Sequence, residues 1–166
     1  MMSLTIQSRS NSKHKALLQL PEEAAEIDRI FSWLECADLW ECDILNCECD
    51  DITTPLTMPL IIDVKRLNAI AARLESLDYD DIDKVDAYLE INGAAPADIE
   101  NALDRLDRMD FYNGYHVREL AEELVADGVF GDAGKELFPF IDFDKLADAM
   151  KKNGFKETAR GVLYCA

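Results

Sequence analysis

Between Ile30 and Val64 the chain has no lysine and no arginine. The same stretch holds eight carboxylates: Glu35, Asp38, Glu41, Asp43, Glu48, Asp50, Asp51 and Asp63. Like charges at this density repel one another and oppose the compact state, so stability does not account for them. A partner of opposite charge does.

Other shortages narrow the function. Histidine occurs twice, at His14 and His116. There is no G-x-S-x-G, Walker loop, G-x-G-x-x-G or H-E-x-x-H, so the common nucleophile, phosphate, dinucleotide and zinc-peptidase signatures are missing. The five cysteines (Cys36, Cys42, Cys47, Cys49 and Cys165) include no C-x-x-C pair, which disfavours zinc. Their odd number, with no signal-like segment at the N-terminus, points to reduced thiols in the cytoplasm. No apolar run is long enough to span a bilayer. The Asp-rich run Asp78 to Asp86 lacks the glycine and terminal glutamate of an EF-hand loop. His116 and Glu119 share one helical face, with Glu123 beyond, but a di-metal bundle needs that motif from two helices. No catalytic pair, metal site or cofactor is selected by these residues, and a hydrolytic or metal site at His116 and its neighbouring acids stays a rival reading. His14 falls in a turn and reads as exposed.

What is present is acid and apolar surface. The 166 residues carry 34 Asp and Glu against 17 Lys and Arg, a net charge of −17, and 49% are hydrophobic. A core is thus affordable. Direct nucleic-acid binding and adsorption to an anionic membrane are both disfavoured by the charge. Met1 to Leu34 is neutral, Glu35 to Asp63 has net charge −8, Val64 to Arg108 has −5 and Met109 to Ala166 has −4.

Periodicity predicts an α+β protein of three small domains, at 1–60, 61–108 and 109–166. In the first, Leu4 to Arg9 and Lys15 to Leu20 alternate as a hairpin. Pro21 suits a first helical position, followed by a face of Ile27, Ile30, Phe31 and Leu34. Leu39 to Cys47 alternates as a strand, with Trp40, Cys42 and Ile44 inward and Glu41 and Asp43 outward. Thr53 to Pro59 is a connector. The middle domain reads as three helices. The first is capped by Asp63, the second starts at Asp80 or Asp81 and ends at Asn92-Gly93, and the third starts at Pro96. In the last domain, Phe111 to Tyr115 reads as an aromatic turn, and Val117 to Asp127 as an amphipathic helix. Another helix runs from the Asp142 cap to Lys152, and a terminal hairpin joins Phe155–Glu157 to Val162–Tyr164. Phe111, Tyr112 and Tyr115 are candidate contacts of a homodimer.

The helices carry acid in ladders: Asp83, Asp86 and Glu90; Glu100, Asp104 and Asp107; Glu119, Glu122 and Glu123. Spacings of three and four put side chains on one face, about 5–6 Å apart at Cβ. Asp78, Asp80 and Asp81 precede the first ladder, and Asp110, Asp127 and Asp132 flank the last. A single ladder is an ordinary solvated face; its repetition along the chain is what points to a partner. B-DNA carries one charge per roughly 1.7 Å of axis, so −17 matches roughly 30 Å of duplex, on the order of nine base pairs. That suits an elongated protein imitating DNA.

The run Val117-Arg-Glu-Leu-Ala-Glu-Glu-Leu-Val-Ala-Asp-Gly-Val-Phe-Gly-Asp132 resembles the acidic segment of the ArdA antirestriction proteins. Phe140-Ile141-Asp142-Phe143, Arg160-Gly161-Val162-Leu163-Tyr164, Leu67-Asn68-Ala69-Ile70-Ala71-Ala72-Arg73-Leu74 and Leu20-Pro21 are similar to further segments of that family. Leu146 stands where the family has an aromatic, and the Cys36–Cys49 run is not a family feature. The resemblance implies an elongated three-domain fold that dimerises through the C-terminal domain and mimics bent duplex DNA. It further implies no cofactor and protection of incoming mobile-element DNA from type I restriction–modification enzymes. The alternative from the charge alone is an acidic module that docks a basic partner protein without inhibiting restriction.

Overall fold

A computed structural model describes residues 1–37, 39–58, 63–131 and 135–166. The protein is of mixed α+β class, with two small antiparallel sheets. It divides into two compact units, Met1–Leu106 and Asp107–Ala166. Among the described residues no helix is long and apolar enough to cross a membrane.

In the first unit, β1 (Met2–Ser8) lies between β2 (Lys15–Leu20) and β3 (Cys42–Cys49). The alternation of β1 buries Met2, Leu4, Ile6 and Ser8, and Leu18 and Leu20 of β2 join that face. Helix α1 (Ala24–Leu34) covers it with Ile27, Phe31 and Leu34. The helix begins three residues after Pro21, because Glu22 is held elsewhere. Its backbone N–H donates to Asn68 Oδ1 at 2.8 Å, and its carbonyl accepts from Asn68 Nδ2 at 3.0 Å.

Two irregularities change the expected strand at 39–47. Leu39–Glu41 is a 3-10 turn, so Trp40 leaves the alternation and is 53% exposed rather than inward. The β1–β3 register then shifts between Thr5 and Ile6. This bulge carries Leu45 outward and returns Cys47 and Cys49 to the side of Cys42.

Helix α2 (Val64–Glu75) starts where Asp63 accepts from the Lys65 N–H at 2.8 Å. Helix α3 (Tyr79–Asn92) is capped by Asp78, two residues before the expected start, and ends at Gly93, whose φ of 108° suits glycine. Helix α4 (Pro96–Leu103) begins at Pro96. Leu67, Ile70, Leu74, Val85, Leu89 and Ile99 are the large buried aliphatic side chains these helices contribute, with others such as Ile82 and Leu103.

The second unit is a three-stranded sheet in the order β4 (Met109–Asn113), β6 (Gly161–Cys165), β5 (Phe155–Glu157). Residues 111–113, expected to turn, are strand, because β6 supplies a partner from Met109↔Cys165 to Asn113↔Gly161. Helices α5 (Val117–Ala126) and α6 (Phe143–Lys152) pack on it through Val117, Leu120, Ala121, Leu124, Ala147, Met150 and Val162. Asp142 caps α6 by accepting from the Lys145 N–H at 3.1 Å. Between the two helices, Lys135–Phe140 forms a 3-10 segment.

Candidate interaction surface

The carboxylates divide into three groups: exposed, paired and buried. Asp38 and Asp132 lie outside the described residues.

On the first sheet, Asp43 and Glu48 point from the outer face of β3. The Arg9 Nε donates to Asp43 at 2.9 Å, and the Asn46 amide donates to Glu48 at 2.8 Å. Asp50 and Asp51 follow, 3.7 and 3.5 Å from the N-terminal ammonium. Glu35 is exposed at the C-cap of α1, with a φ of 57°. Glu41 is only half-buried surface, because its carboxylate folds back to accept from the Ala37 N–H at 2.6 Å. It closes the 3-10 turn instead of standing outward.

In the helices, Asp80 and Glu90 are exposed and Asp83 is half-buried. Asp78 caps α3 through the Asp81 N–H at 2.9 Å, and Asp81 pairs with Lys84 at 2.8 Å. Asp86 departs from its expected place in a solvent-facing ladder. It is 2% exposed. The connector packs over it, and its carboxylate accepts from the Thr53 N–H, the Thr53 hydroxyl and the Thr54 N–H at 3.1, 2.6 and 2.9 Å. Burial alone would raise its pKa; the hydrogen bonds from Thr53 and Thr54 outweigh that and hold it below the ordinary value. The acid is a structural clasp and not a surface charge.

The ladder on α4 is blunted. Arg66 of α2 grips Glu100 in a bidentate pair, with Nε at 3.0 and 3.1 Å from the two oxygens. Arg73, two turns along α2, pairs with Asp104 at 2.8 Å. The hydrogen bond from Arg66 is the main reason the Glu100 carboxyl is held below its ordinary pKa. The neighbours Arg105 and Arg108, nearer in sequence, are not the ones that pair with these two acids. Asp107 lies beyond the helix, exposed in the 3-10 turn Leu106–Arg108.

In the second unit Asp110, Glu119, Glu123 and Asp127 are exposed and Glu122 is half-buried. Arg118 reaches both Glu122 and Asp144, at 2.6 and 3.0 Å. Glu119 accepts from the His116 N–H at 3.1 Å as part of the α5 cap. The His116 ring turns away, its Nδ1 lying 2.7 Å from Glu157. The H-x-x-E pair therefore serves a helix start, and among the described residues no group of three His, Cys, Asp or Glu is placed to hold a metal. Tyr112 and Tyr115 pack against the second core, and Phe111 lies under the Arg160 guanidinium at 5.8 Å.

His14 also departs from its expected exposure. It is half-buried against Trp33, with ring centroids 5.2 Å apart. No hydrogen-bond partner among the described residues reaches its Nδ1. Nothing local in the sequence marks this contact, since Trp33 arrives from α1.

Acid outnumbers base by 22 to nine in Met1–Leu106 and by 12 to eight in Asp107–Ala166. Such a surface attracts cationic partners and repels polyanions. No family model and no curated protein matches the chain.

Proposed function

We propose that the protein is an acidic mimic of duplex DNA that occupies the DNA-binding groove of type I restriction–modification enzymes. In this way it protects incoming mobile-element DNA. The observation that carries the reading is the set of exposed carboxylates held on regular structure in both units: Asp43 and Glu48 on β3, Asp80 and Glu90 on α3, Glu119 and Glu123 on α5. Fixed charges suit imitation of a polyanion, because their spacing is set before the partner arrives. The likeness of Val117–Asp132 to the ArdA family supports the choice of target. The elongated three-part arrangement, the homodimer and the cytoplasmic setting belong to the same reading. On it the chain acts by occupancy, with no catalytic step and no cofactor.

The test is to add the purified protein to a type I restriction enzyme with unmethylated plasmid. In parallel, displacement of labelled duplex from the enzyme is measured in EDTA. Protection together with displacement is expected. Binding to the enzyme without either would overturn the mimic and leave an acidic adaptor for basic proteins.

A further inference from the structure

The side chains of Cys36 and Cys42 meet at the buried hydroxyl of Ser8. The Arg9 N–H donates to the Glu41 carbonyl at 3.1 Å. The next cross-strand partners, Ser8 and Cys42, are therefore a non-hydrogen-bonded pair, the kind whose side chains stand closest. Both lie on the buried face, Cys42 at 2% exposure. Cys36 reaches the same point from the end of α1. Its Sγ lies 3.4 Å from the Ser8 Oγ and 3.8 Å from the Glu41 carbonyl oxygen. The two thiols also share a hydrogen bond.

The chain between them is already drawn into a ring. Glu35 turns back with a φ of 57°, and the Cys36 N–H donates to the Phe31 carbonyl at 3.0 Å. At the other end, the Glu41 carboxylate accepts from the Ala37 N–H at 2.6 Å. Both ends of the Cys36–Cys42 segment are thus held together before any covalent bond forms.

The two sulfurs differ in access. Cys36 is half-buried and lines, with Phe31, Ser32 and Val64, a groove of about 590 Å³. Cys42 lies deeper, and burial together with the adjacent Cys36 thiol pushes it up to about 12, so it stays protonated at neutral pH. The other cysteines are placed differently. Cys47 and Cys49 stand two apart on one strand, about 6–7 Å from each other, whereas the Cβ atoms of a disulfide are about 4 Å apart. Cys165 belongs to the other unit.

We infer that Cys36 and Cys42 are a redox-active pair that closes to a disulfide when the protein meets a small-molecule disulfide, with Cys36 as the entry thiol and Cys42 as the resolving one. Cys36 gives its proton to solvent and attacks one sulfur of the small disulfide, forming a mixed disulfide and releasing one small thiolate. Cys42 then loses its proton and attacks the Cys36 sulfur, and the second small thiolate leaves. Two protein thiols are oxidised, one small disulfide is reduced to two thiols, and the protons lost by the protein end on them. The new bond staples the end of α1 to the start of β3 around the Leu39–Glu41 turn. This site is independent of the acidic surface and of its proposed target.

The native full-length chain is incubated with glutathione disulfide, its thiols are titrated and its peptides are mapped by mass. The expected result is a fall from five free thiols to three, one peptide joining Cys36 to Cys42, and full reversal by dithiothreitol. Cys42→Ala should stop at glutathione bound to Cys36. Cys36→Ala should leave Cys42 unmodified while the chain is folded. In urea, where Cys47 and Cys49 are freed as well, the products should be mixed. A different pair, glutathione persisting on Cys36 in the unaltered chain, modification of Cys42 first, or no reaction of the native chain would overturn the inference. So would the same single pair forming equally fast in urea, since closeness in sequence and not the fold would then select it.

Discussion

Asp86 accepts two hydrogen bonds from Thr53, one from its backbone N–H at 3.1 Å and one from its hydroxyl at 2.6 Å. With the Thr54 N–H at 2.9 Å, this single carboxylate fixes the connector to α3. Hydrogen bonds to a charged acceptor contribute about 1.5–3 kcal/mol, and the donors left behind lose their partner. Asp86→Ala should therefore destabilise the first unit by about 2–4 kcal/mol, read as a lower midpoint in urea. Asp80→Ala, exposed on the same helix, should change it by less than about 0.5 kcal/mol.

The same clasp sets a pH dependence. The Asp86 carboxyl is held below its ordinary value of 3.8 in the folded chain. A depressed folded value means the unfolded chain binds the proton first as pH falls. The contribution of Asp86 is thus complete above the ordinary value and is lost as pH drops through the folded one. The stability difference between the protein and Asp86→Asn should be constant from pH 5 to 8 and shrink below about pH 4. A difference that instead grew on acidification would refute the assignment.

Arg66 and Arg73 neutralise the α4 acids from outside their own helix, and this separates two effects. Exposed pairs are worth about 0–1 kcal/mol, so Arg66→Gln with Arg73→Gln should cost at most about 2 kcal/mol together. The double substitution also frees Glu100 and Asp104. If the acid surface acts as proposed, inhibition should strengthen and its salt dependence steepen; weaker inhibition in a folded variant would place α4 outside the mimic.

Local signals made much of this fold legible. Alternation marked β2, and Asp63, Asp142, Gly93 and Pro96 marked helix ends, because caps act on neighbours within one turn. The misses came from distance. Trp40 turned outward because a 3-10 turn takes Leu39–Glu41 out of the strand, and a bulge opposite Thr5 turned Leu45 outward; neither has a sequence signature here. Asp86 looked like one rung of a ladder because its partners lie 32 and 33 residues earlier. Phe111 and Tyr112 read as a turn because β6, the strand that pairs them, comes about fifty residues later. On the candidate surface the acids themselves were legible, while their neutralisation by α2 was not.

Gly161 begins β6 where it crosses closest to β4. A Cβ there would collide with the Tyr112 carbonyl oxygen and lie 3.0 Å from the Asn113 Cα. Both obstacles are backbone, so the strand pair must part. Overpacking of this kind costs about 1–3 kcal/mol, and Gly161→Ala should lower the melting temperature of the second unit by roughly 5–15 °C. Gly128→Ala, open to solvent but at a φ of 75°, should cost only about 1 kcal/mol.

The proposed mimicry predicts how inhibition should decay with charge. Each exposed carboxylate meets its target in high dielectric, where a single contact is worth little. Asp80→Asn, Glu90→Gln or Glu123→Gln alone should leave protection within about threefold of the unaltered protein. Replacing about a dozen exposed acids should erode it progressively, and the slope of log affinity against log salt should fall with each step. Asp86 belongs outside that series, because its loss acts through folding. If one exposed substitution abolished protection while the fold survived, distributed charge would be the wrong explanation, and that residue would mark a discrete site.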